Sequence, residues 1–182
     1  PGSKERSDVE RALKTAKSKE LDIPMYINGE EVRTSTKVDI HPPHQLEHKL
    51  GQYSKGSSEH IELAIDAALK AQKDWESMPW QDRAAIFLRA ADLIAGPYRA
   101  EMNAATMLGQ SKNVFQAEID AVCELVDFLR FNVAFMQEIY EQQPLSVPGV
   151  WNRLEYRALE GFVFALTPFN FTSIAGNLCA AP

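Results

Sequence analysis

The sequence predicts an α/β protein in which amphipathic helices cover a buried sheet. Residues 57–141 show apolar side chains at helical spacing, interrupted at Pro79 and at Gly96. Residues 162–166, Phe-Val-Phe-Ala-Leu, form a short apolar run that suits a fully buried strand. The helices alone are also compatible with a free-standing bundle. A buried parallel strand needs neighbouring strands, so we favour a sheet that later sequence would complete.

The composition restricts the class of function. The 182 residues are 45% hydrophobic and 24% charged, as in a soluble globular protein. A formal net charge of −6 without a basic stripe argues against a nucleic-acid partner. No apolar run approaches the ~20 residues of a membrane span, so we expect no membrane partner. Two cysteines, Cys123 and Cys179, make no disulfide framework, and a reducing intracellular location is favoured.

The first predicted element is a short helix. We expect residues 1–3, which begin at Pro1, to be a loop. Ser7 and Asp8 can cap a helix that runs through about Lys19, because their side-chain oxygens accept hydrogen bonds from free backbone N–H groups.

A β-hairpin is predicted next. Asn28 and Gly29 lie between residues 25–27 and 32–34, and both tolerate the positive φ that a two-residue turn requires.

Three histidines, His41, His44 and His48, fall within eight residues. Two prolines stiffen this segment, no cysteine accompanies it, and only His44 and His48 have a spacing that one helix face could present together. We therefore predict no metal site here, but an exposed loop before a strand at residues 49–53.

Four amphipathic helices follow in order. The first begins at Ser57-Ser58, the second opens at Pro79, the third covers 98–108 and ends at Gly109, and the fourth covers about 114–141. The fourth is predicted to bury Ile119, Val122, Cys123, Val126, Leu129, Val133, Met136 and Ile139.

The last part of the chain alternates linkers and predicted strands. Prolines 144 and 148 mark a linker, and residues 150–157 alternate apolar and polar side chains as a half-exposed strand does. After the run at 162–166, Thr167-Pro168 predicts a turn, and 172–181 has a helical pattern. Asn170 then lies at the carboxyl end of a buried strand, where open α/β sheets bind ligands. A buried Asn that only bonds its own loop is an equal alternative.

Residues 167–171, Thr-Pro-Phe-Asn-Phe, resemble the first nucleotide-binding strand and asparagine loop of the aldehyde dehydrogenase superfamily. Phe at position 169, where many members have Trp, is similar to the branch of 1-pyrroline-5-carboxylate (glutamate γ-semialdehyde) dehydrogenases. Further stretches that resemble this branch are 106–113, 116–120, 124–128 and 130–132.

The resemblance covers nearly the whole chain, and it implies the N-terminal portion of the aldehyde dehydrogenase fold. That portion comprises a helical layer, an oligomerisation strand and the first strand of a Rossmann-like parallel sheet. The implied division is 1–142 for the hairpin and the helical part of the NAD-binding domain, 143–159 for the linker and oligomerisation strand, and 160–182 for the first Rossmann-like strand and the asparagine loop, truncated here.

The function implied by the resemblance is NAD-dependent oxidation of L-glutamate γ-semialdehyde to L-glutamate in proline catabolism. In this superfamily a cysteine thiolate attacks the aldehyde, hydride passes to the nicotinamide, and the thioester is hydrolysed. The nucleophilic Cys and the general-base Glu of the family are expected beyond this sequence, so we predict that the chain alone is inactive. Cys123 and Cys179 are interpreted as neutral buried thiols.

The site residues are also implied by the resemblance. Asn170 matches the asparagine whose side-chain NH₂ stabilises the oxyanion, and it is the one predicted catalytic residue. Phe171 matches an aromatic beside the aldehyde chain, and Glu124 an acidic residue near the substrate tunnel. The alternatives are a core Phe for Phe171, and for Glu124 a solvated carboxylate or a pair with Arg130. The predicted NAD-binding residues are Leu166, Thr167, Pro168, Phe169 and Asn170.

Partners and location follow from the same resemblance. We expect a homodimer or higher homo-oligomer, in the mitochondrial matrix of a eukaryote or the cytoplasm of a bacterium. Because the sequence begins with Pro rather than Met, a targeting segment upstream stays open. Two other functions stay open: an aldehyde dehydrogenase of different substrate specificity, and a non-catalytic oligomerisation fragment.

Overall fold

The computed structural model describes residues 2–182, so that Pro1, predicted as loop, lies outside them. The strands are β1 (Leu21–Ile23), β2 (Met25–Ile27), β3 (Glu30–Val32), β4 (Lys37–Ile40) and β5 (Gly51–Ser54). The helices are α1 (Lys4–Lys17), α2 (Ser58–Ser77), α3 (Trp80–Ala95), α4 (Arg99–Gln110), α5 (Val114–Ala117), a π-helical segment (Glu118–Cys123), α6 (Glu124–Glu141) and α7 (Ile174–Ala180).

Helix α1 begins earlier than predicted because Ser3, not Ser7, is its N-cap. The Ser3 hydroxyl oxygen accepts a hydrogen bond from the Arg6 backbone N–H at 3.3 Å. This satisfies one of the N–H groups that the first turn of a helix leaves free. Helix α1 then packs mainly on α4.

The predicted hairpin is confirmed as β2 and β3, which pair antiparallel with Met25 opposite Val32. Asn28 and Gly29 have φ values of 54° and 77°, as a type I′ turn requires. The predicted strand at 49–53 appears as β5, at the centre of a second sheet that was not predicted. It pairs parallel to β1 and antiparallel to β4.

The helical layer holds the core. Helix α3 packs along α6, and Ala91 lies among the buried side chains of Val122, Leu125, Val126 and Leu129. The first three predicted helices are observed as α2, α3 and α4. However, Gly109 does not end α4, which continues to Gln110 and stops at Ser111, where φ is 56°.

The fourth predicted helix is not continuous. A π-helical segment separates α5 from α6, and its wider turn shifts the helical phase of the residues around it. Ile119 and Cys123, within the segment, are therefore exposed, contrary to prediction. Ile139, near the end of α6, is also exposed, whereas Val122, Val126 and Leu129 are buried as predicted.

The two predicted C-terminal strands, at 150–157 and 162–166, do not form in this chain. A strand must pair its backbone N–H and C=O groups with a neighbour. Within residues 2–182, the only pairing near these segments is an isolated bridge between Val147 and Val150. Both segments are consequently irregular, and Phe164 is 79% exposed. The helical pattern at 172–181 is observed as α7.

Candidate active site

Residues 167–173, called the asparagine loop from here, lie against the end of α4 and the π-helical segment. The Gln110 side chain donates from Nε2 to the Phe169 carbonyl oxygen at 2.9 Å. The Lys112 ammonium donates to the Asn170 carbonyl oxygen, also at 2.9 Å. Two consecutive backbone carbonyls of the loop thus accept hydrogen bonds from the last residue of α4 and from the turn that follows it.

Lys112 makes two further contacts at this site. Its Nζ lies 2.6 Å from Oδ2 of Asp120 and 4.4 Å from the centre of the Phe171 ring. The side chains of Lys112 and Asp120 are only 17% and 23% exposed, so water screens this ion pair less than it screens a surface pair. The ammonium therefore joins the π-helical segment to both Asn170 and Phe171.

Ser173 fixes the far end of the asparagine loop. Its hydroxyl donates to the Ala121 carbonyl oxygen at 2.6 Å and approaches the Asp120 carbonyl oxygen at 3.4 Å, and the side chain is buried. A π-helix directs its carbonyls differently from an α-helix, and such segments recur at functional sites. The π-helical segment thus contacts Ser173 directly and Asn170 through Lys112.

Asn170 itself is exposed at the surface. The alternative of a buried Asn that only bonds its own loop is therefore wrong. The Asn170 backbone carbonyl accepts a hydrogen bond from Lys112. An exposed amide on an anchored backbone can donate hydrogen bonds to a ligand without introducing a charge.

The predicted cofactor-binding residues form an open surface before Asn170. Leu166, Thr167, Pro168 and Phe169 are all exposed, and the Phe169 ring is 95% exposed. These residues are therefore accessible to a ligand in this chain.

The two predicted substrate residues differ in their surroundings. Phe171 is half-buried beneath the Lys112 ammonium, which is a cation–π arrangement and not an ordinary core contact. Glu124 is the half-buried first residue of α6. Arg130 pairs with Asp92, at 3.1 Å from Nη2 to Oδ1, so the alternative of a Glu124–Arg130 pair is wrong.

Two histidines of the 41–48 segment form hydrogen bonds within the protein. His41 Nδ1 lies 2.9 Å from the His48 carbonyl oxygen, and His44 Nδ1 lies 2.7 Å from Oγ of Ser111. Among residues 2–182, no three His, Cys, Asp or Glu side chains are placed to hold a metal ion.

Both cysteines are exposed and free, so their interpretation as buried thiols is wrong. Partial burial and the nearby Glu118 carboxylate raise the pKa of Cys123 above its ordinary value. Its thiol therefore remains protonated at neutral pH.

A second charged network attaches the π-helical segment to α4. Arg99 donates to Oε1 of Glu118 from Nε at 2.9 Å, and Asn103 donates from Nδ2 to Oε2 at 2.6 Å. Burial opposes ionisation of Glu118, but the hydrogen bonds from Arg99 and Asn103 outweigh it and lower its pKa. These residues line a groove of about 1260 Å³ between α1 and α4, which does not include the asparagine loop.

Comparison with known proteins defines the class to which this fold and loop belong. Residues 30–182 match the aldehyde dehydrogenase family, and the chain belongs to that family. Within it, the chain is 53% identical to Delta-1-pyrroline-5-carboxylate dehydrogenase of Agaricus bisporus, covering 100% of this chain and 34% of that protein. It is 49% identical to the mitochondrial Delta-1-pyrroline-5-carboxylate dehydrogenase of Homo sapiens, covering 100% of this chain and 32% of that protein.

A solved structure gives the same result. The Delta-pyrroline-5-carboxylate dehydrogenase from Mycobacterium tuberculosis, bound with NAD, superposes with a TM-score of 0.95 and 51% identity, covering 99% of this chain and 34% of that one. This similarity confirms the predicted fold class, the N-terminal portion of the aldehyde dehydrogenase fold. The chain spans about one third of the length of the curated relatives it matches. None of the helices within residues 2–182 is long and apolar enough to cross a bilayer.

Proposed function

We propose that this chain is part of an NAD-dependent dehydrogenase that oxidises L-glutamate γ-semialdehyde, formed from 1-pyrroline-5-carboxylate, to L-glutamate. The observation that carries the proposal is similarity along the whole chain to dehydrogenases named for that substrate, one of them bound with NAD. The exposed Asn170 on its anchored loop supplies a chemical group that this reaction requires.

Asn170 is the proposed catalytic residue of this chain. Attack on an aldehyde carbonyl places negative charge on its oxygen, and a donor that is already in place stabilises that charge. The Asn170 amide can supply such a donor, and because it is neutral it needs no counterion in a dry site. Removing one donor of this kind typically costs about 10²- to 10³-fold in kcat.

Residues 166–170 are proposed to lie along the nicotinamide half of NAD. The exposure of these residues fits this assignment, because a flat ring can approach them. NAD, when bound, supplies the acceptor for the hydride. The contribution of the chain is to orient that ring beside Asn170 and to exclude water once the site is covered.

Phe171 and Glu124 are proposed to contact the substrate. An aromatic face suits the methylene chain of glutamate γ-semialdehyde. A carboxylate suits its α-ammonium group, because opposite charges attract. The half-buried positions of both side chains leave part of each available for such contacts.

We further propose that the protein is a homo-oligomer and that residues 143–159 form its linker and oligomerisation strand. In this division, residues 1–142 belong to the NAD-binding domain and residues 160–182 begin its parallel sheet. A mitochondrial matrix location is proposed for a eukaryotic source, since a similar human protein is named mitochondrial, and a cytoplasmic location for a bacterial source.

The proposal is tested by NADH formation in a chain extended to the length of its relatives. We expect glutamate γ-semialdehyde to give a kcat/KM at least about 100-fold above that of propanal, since propanal lacks both charged groups of the amino-acid head group. The 182-residue chain alone, assayed in parallel, is expected to be inactive. Equal use of both aldehydes would contradict the proposed substrate while leaving the family unchanged.

A further inference from the structure

We propose that Lys112 is the positioning residue for Asn170, so that its ammonium holds the asparagine where its amide meets the developing oxyanion. This inference rests on the proposed function, because it assigns Lys112 a role in the same reaction. Lys112 acts through Asn170 and does not itself contact the substrate.

The first argument is the set of contacts of the Lys112 ammonium. A lysine ammonium has three N–H donors and accepts nothing. Here it faces the Asp120 carboxylate at 2.6 Å, the Asn170 carbonyl oxygen at 2.9 Å and the Phe171 ring at 4.4 Å from the ring centre. Two of these three partners belong to Asn170, the proposed catalytic residue, and to Phe171, which follows it.

The second argument is that Lys112 is itself held on both sides. Ser111, before it, has a left-handed backbone with φ of 56°, and its Oγ is 2.7 Å from His44 Nδ1. Asn113, after it, caps α5 through reciprocal hydrogen bonds with Gln116, each of 3.0 Å. The Lys112 backbone is therefore fixed between a hydrogen-bonded turn and a helix cap. Its ammonium can then hold the loop in a defined position.

The third argument is that two side chains, at the end of α4 and just after it, hydrogen-bond the backbone around Asn170. Gln110 donates to the Phe169 carbonyl oxygen, and Lys112 donates to the Asn170 carbonyl oxygen. Of these two contacts, only the one from Lys112 reaches Asn170.

The test is a double-mutant cycle in a chain extended to the length of its relatives. Lys112→Met keeps the length and apolar stem of the side chain but removes its donors and charge. We expect kcat to fall about 100-fold, because a displacement of about 1 Å at a reacting group has that effect. The matched control is Lys49→Met, which breaks the 2.7 Å pair with Asp39 on the small sheet and should leave kcat unchanged.

The coupling between the two residues decides the proposal. In the wild-type background, Asn170→Ala should lower kcat by about 10²- to 10³-fold. In the Lys112→Met background, where Asn170 is no longer positioned, the same substitution should lower kcat by less than about 10-fold. The role of Lys112 would be overturned if the double variant lost kcat by the product of the two single losses, or if Lys112→Met left kcat unchanged. A merely structural role would lower the melting temperature without producing this coupling.

A readout independent of activity separates this inference from the proposed function. Chymotrypsin cleavage after Phe169 or Phe171 should be at least about 5-fold faster in Lys112→Met than in Lys49→Met, because cleavage follows local opening of the loop. If Asn170→Ala left kcat unchanged, the proposed oxyanion role would fail, and equal cleavage rates would separately show that Lys112 does not hold the loop.

Discussion

Two charged networks, each centred on one side chain, meet at the π-helical segment. Lys112 pairs with Asp120 and contacts the asparagine loop, whereas Arg99 pairs with Glu118 and connects to α4. The carboxylates of the two pairs are two residues apart in the same segment. Glu118 thus connects the segment to α4, and Asp120 pairs with the lysine that contacts the loop.

Glu118 is expected to make stability depend on pH. Its folded pKa is below the ordinary value of 4.5, so its contribution is fully present above that value and is lost as the pH falls through the lower folded pKa. Glu118→Gln should lower the free energy of unfolding by about 1 kcal/mol at about pH 7, since the pair is partly exposed. This deficit should shrink at about pH 3, as measured by urea unfolding.

The control for that experiment is Asp92→Asn. It breaks the exposed pair with Arg130 and should change stability by less than about 0.5 kcal/mol at either pH. A deficit in Glu118→Gln that is equally large at both pH values would contradict the electrostatic role of Glu118.

The sequence supports a hypothesis for Asn170, but it gives no indication of the lysine that contacts it. The sequence 167–171 resembles a motif, and the motif itself points to Asn170. Lys112 has no local signal of this kind, because its contact with Asn170 joins residues 58 positions apart. The role of Glu124 could not be decided from the sequence, because a helix carboxylate looks the same whether it faces substrate, solvent or an arginine.

Helices and turns can be predicted from the sequence where neighbouring residues alone determine the backbone conformation. The Asn28-Gly29 turn determines its own backbone and was predicted to the residue. The π-helical segment was missed, because one extra residue in a turn leaves the composition of a helix unchanged. The strands predicted at 150–157 and 162–166 are not observed, because a strand forms only when its backbone pairs with a neighbouring strand.

Two glycines provide a matched test of backbone conformation. An added Cβ would meet nothing within 4 Å at either Gly29 or Gly109, so neither substitution introduces a clash. Gly29→Ala should destabilise by about 1–2 kcal/mol, because φ is in the left-handed region. Gly109→Ala should stabilise by about 0.5–1 kcal/mol, because the helix already has the conformation alanine prefers. Urea unfolding measures both, and shifts of the same sign would contradict the assigned conformations.

Ser173 provides a test of the contact between the asparagine loop and the π-helical segment. Ser173→Ala removes the buried hydrogen bond to the Ala121 carbonyl oxygen and should cost about 1–2 kcal/mol. Hydrogen exchange in α7 should accelerate, because its N-terminal attachment is lost. Ser77→Ala removes an exposed bond of the same type, to the Asp74 carbonyl oxygen, and should cost less. Equal costs would contradict the tethering role.

The most prominent feature of the whole 182-residue molecule is the large apolar surface of residues 145–169. Leu145 is 90% exposed and Trp151 is 77% exposed, and a soluble chain rarely leaves so many apolar side chains in water. In the proposed dehydrogenase, the rest of the subunit and its oligomer partners would cover this surface.

The isolated chain is accordingly expected to self-associate as its concentration rises. Replacing Trp151 and Phe164 with Ser should reduce the average mass measured by light scattering. Replacing Tyr26 and Phe115, which are exposed outside this segment, should have a smaller effect. A wild-type chain that stayed monomeric at all concentrations would contradict the interpretation of this surface as one that needs a partner.

The central claim is that Asn170 stabilises the oxyanion, and kcat of Asn170→Ala in a chain extended to the length of its relatives tests it most directly. NADH formation from glutamate γ-semialdehyde should fall about 10²- to 10³-fold in kcat, with a much smaller change in KM. Gln137→Ala, which removes an exposed amide on α6, should leave kcat unchanged. A kcat for Asn170→Ala within about twofold of wild type would contradict the catalytic role of Asn170.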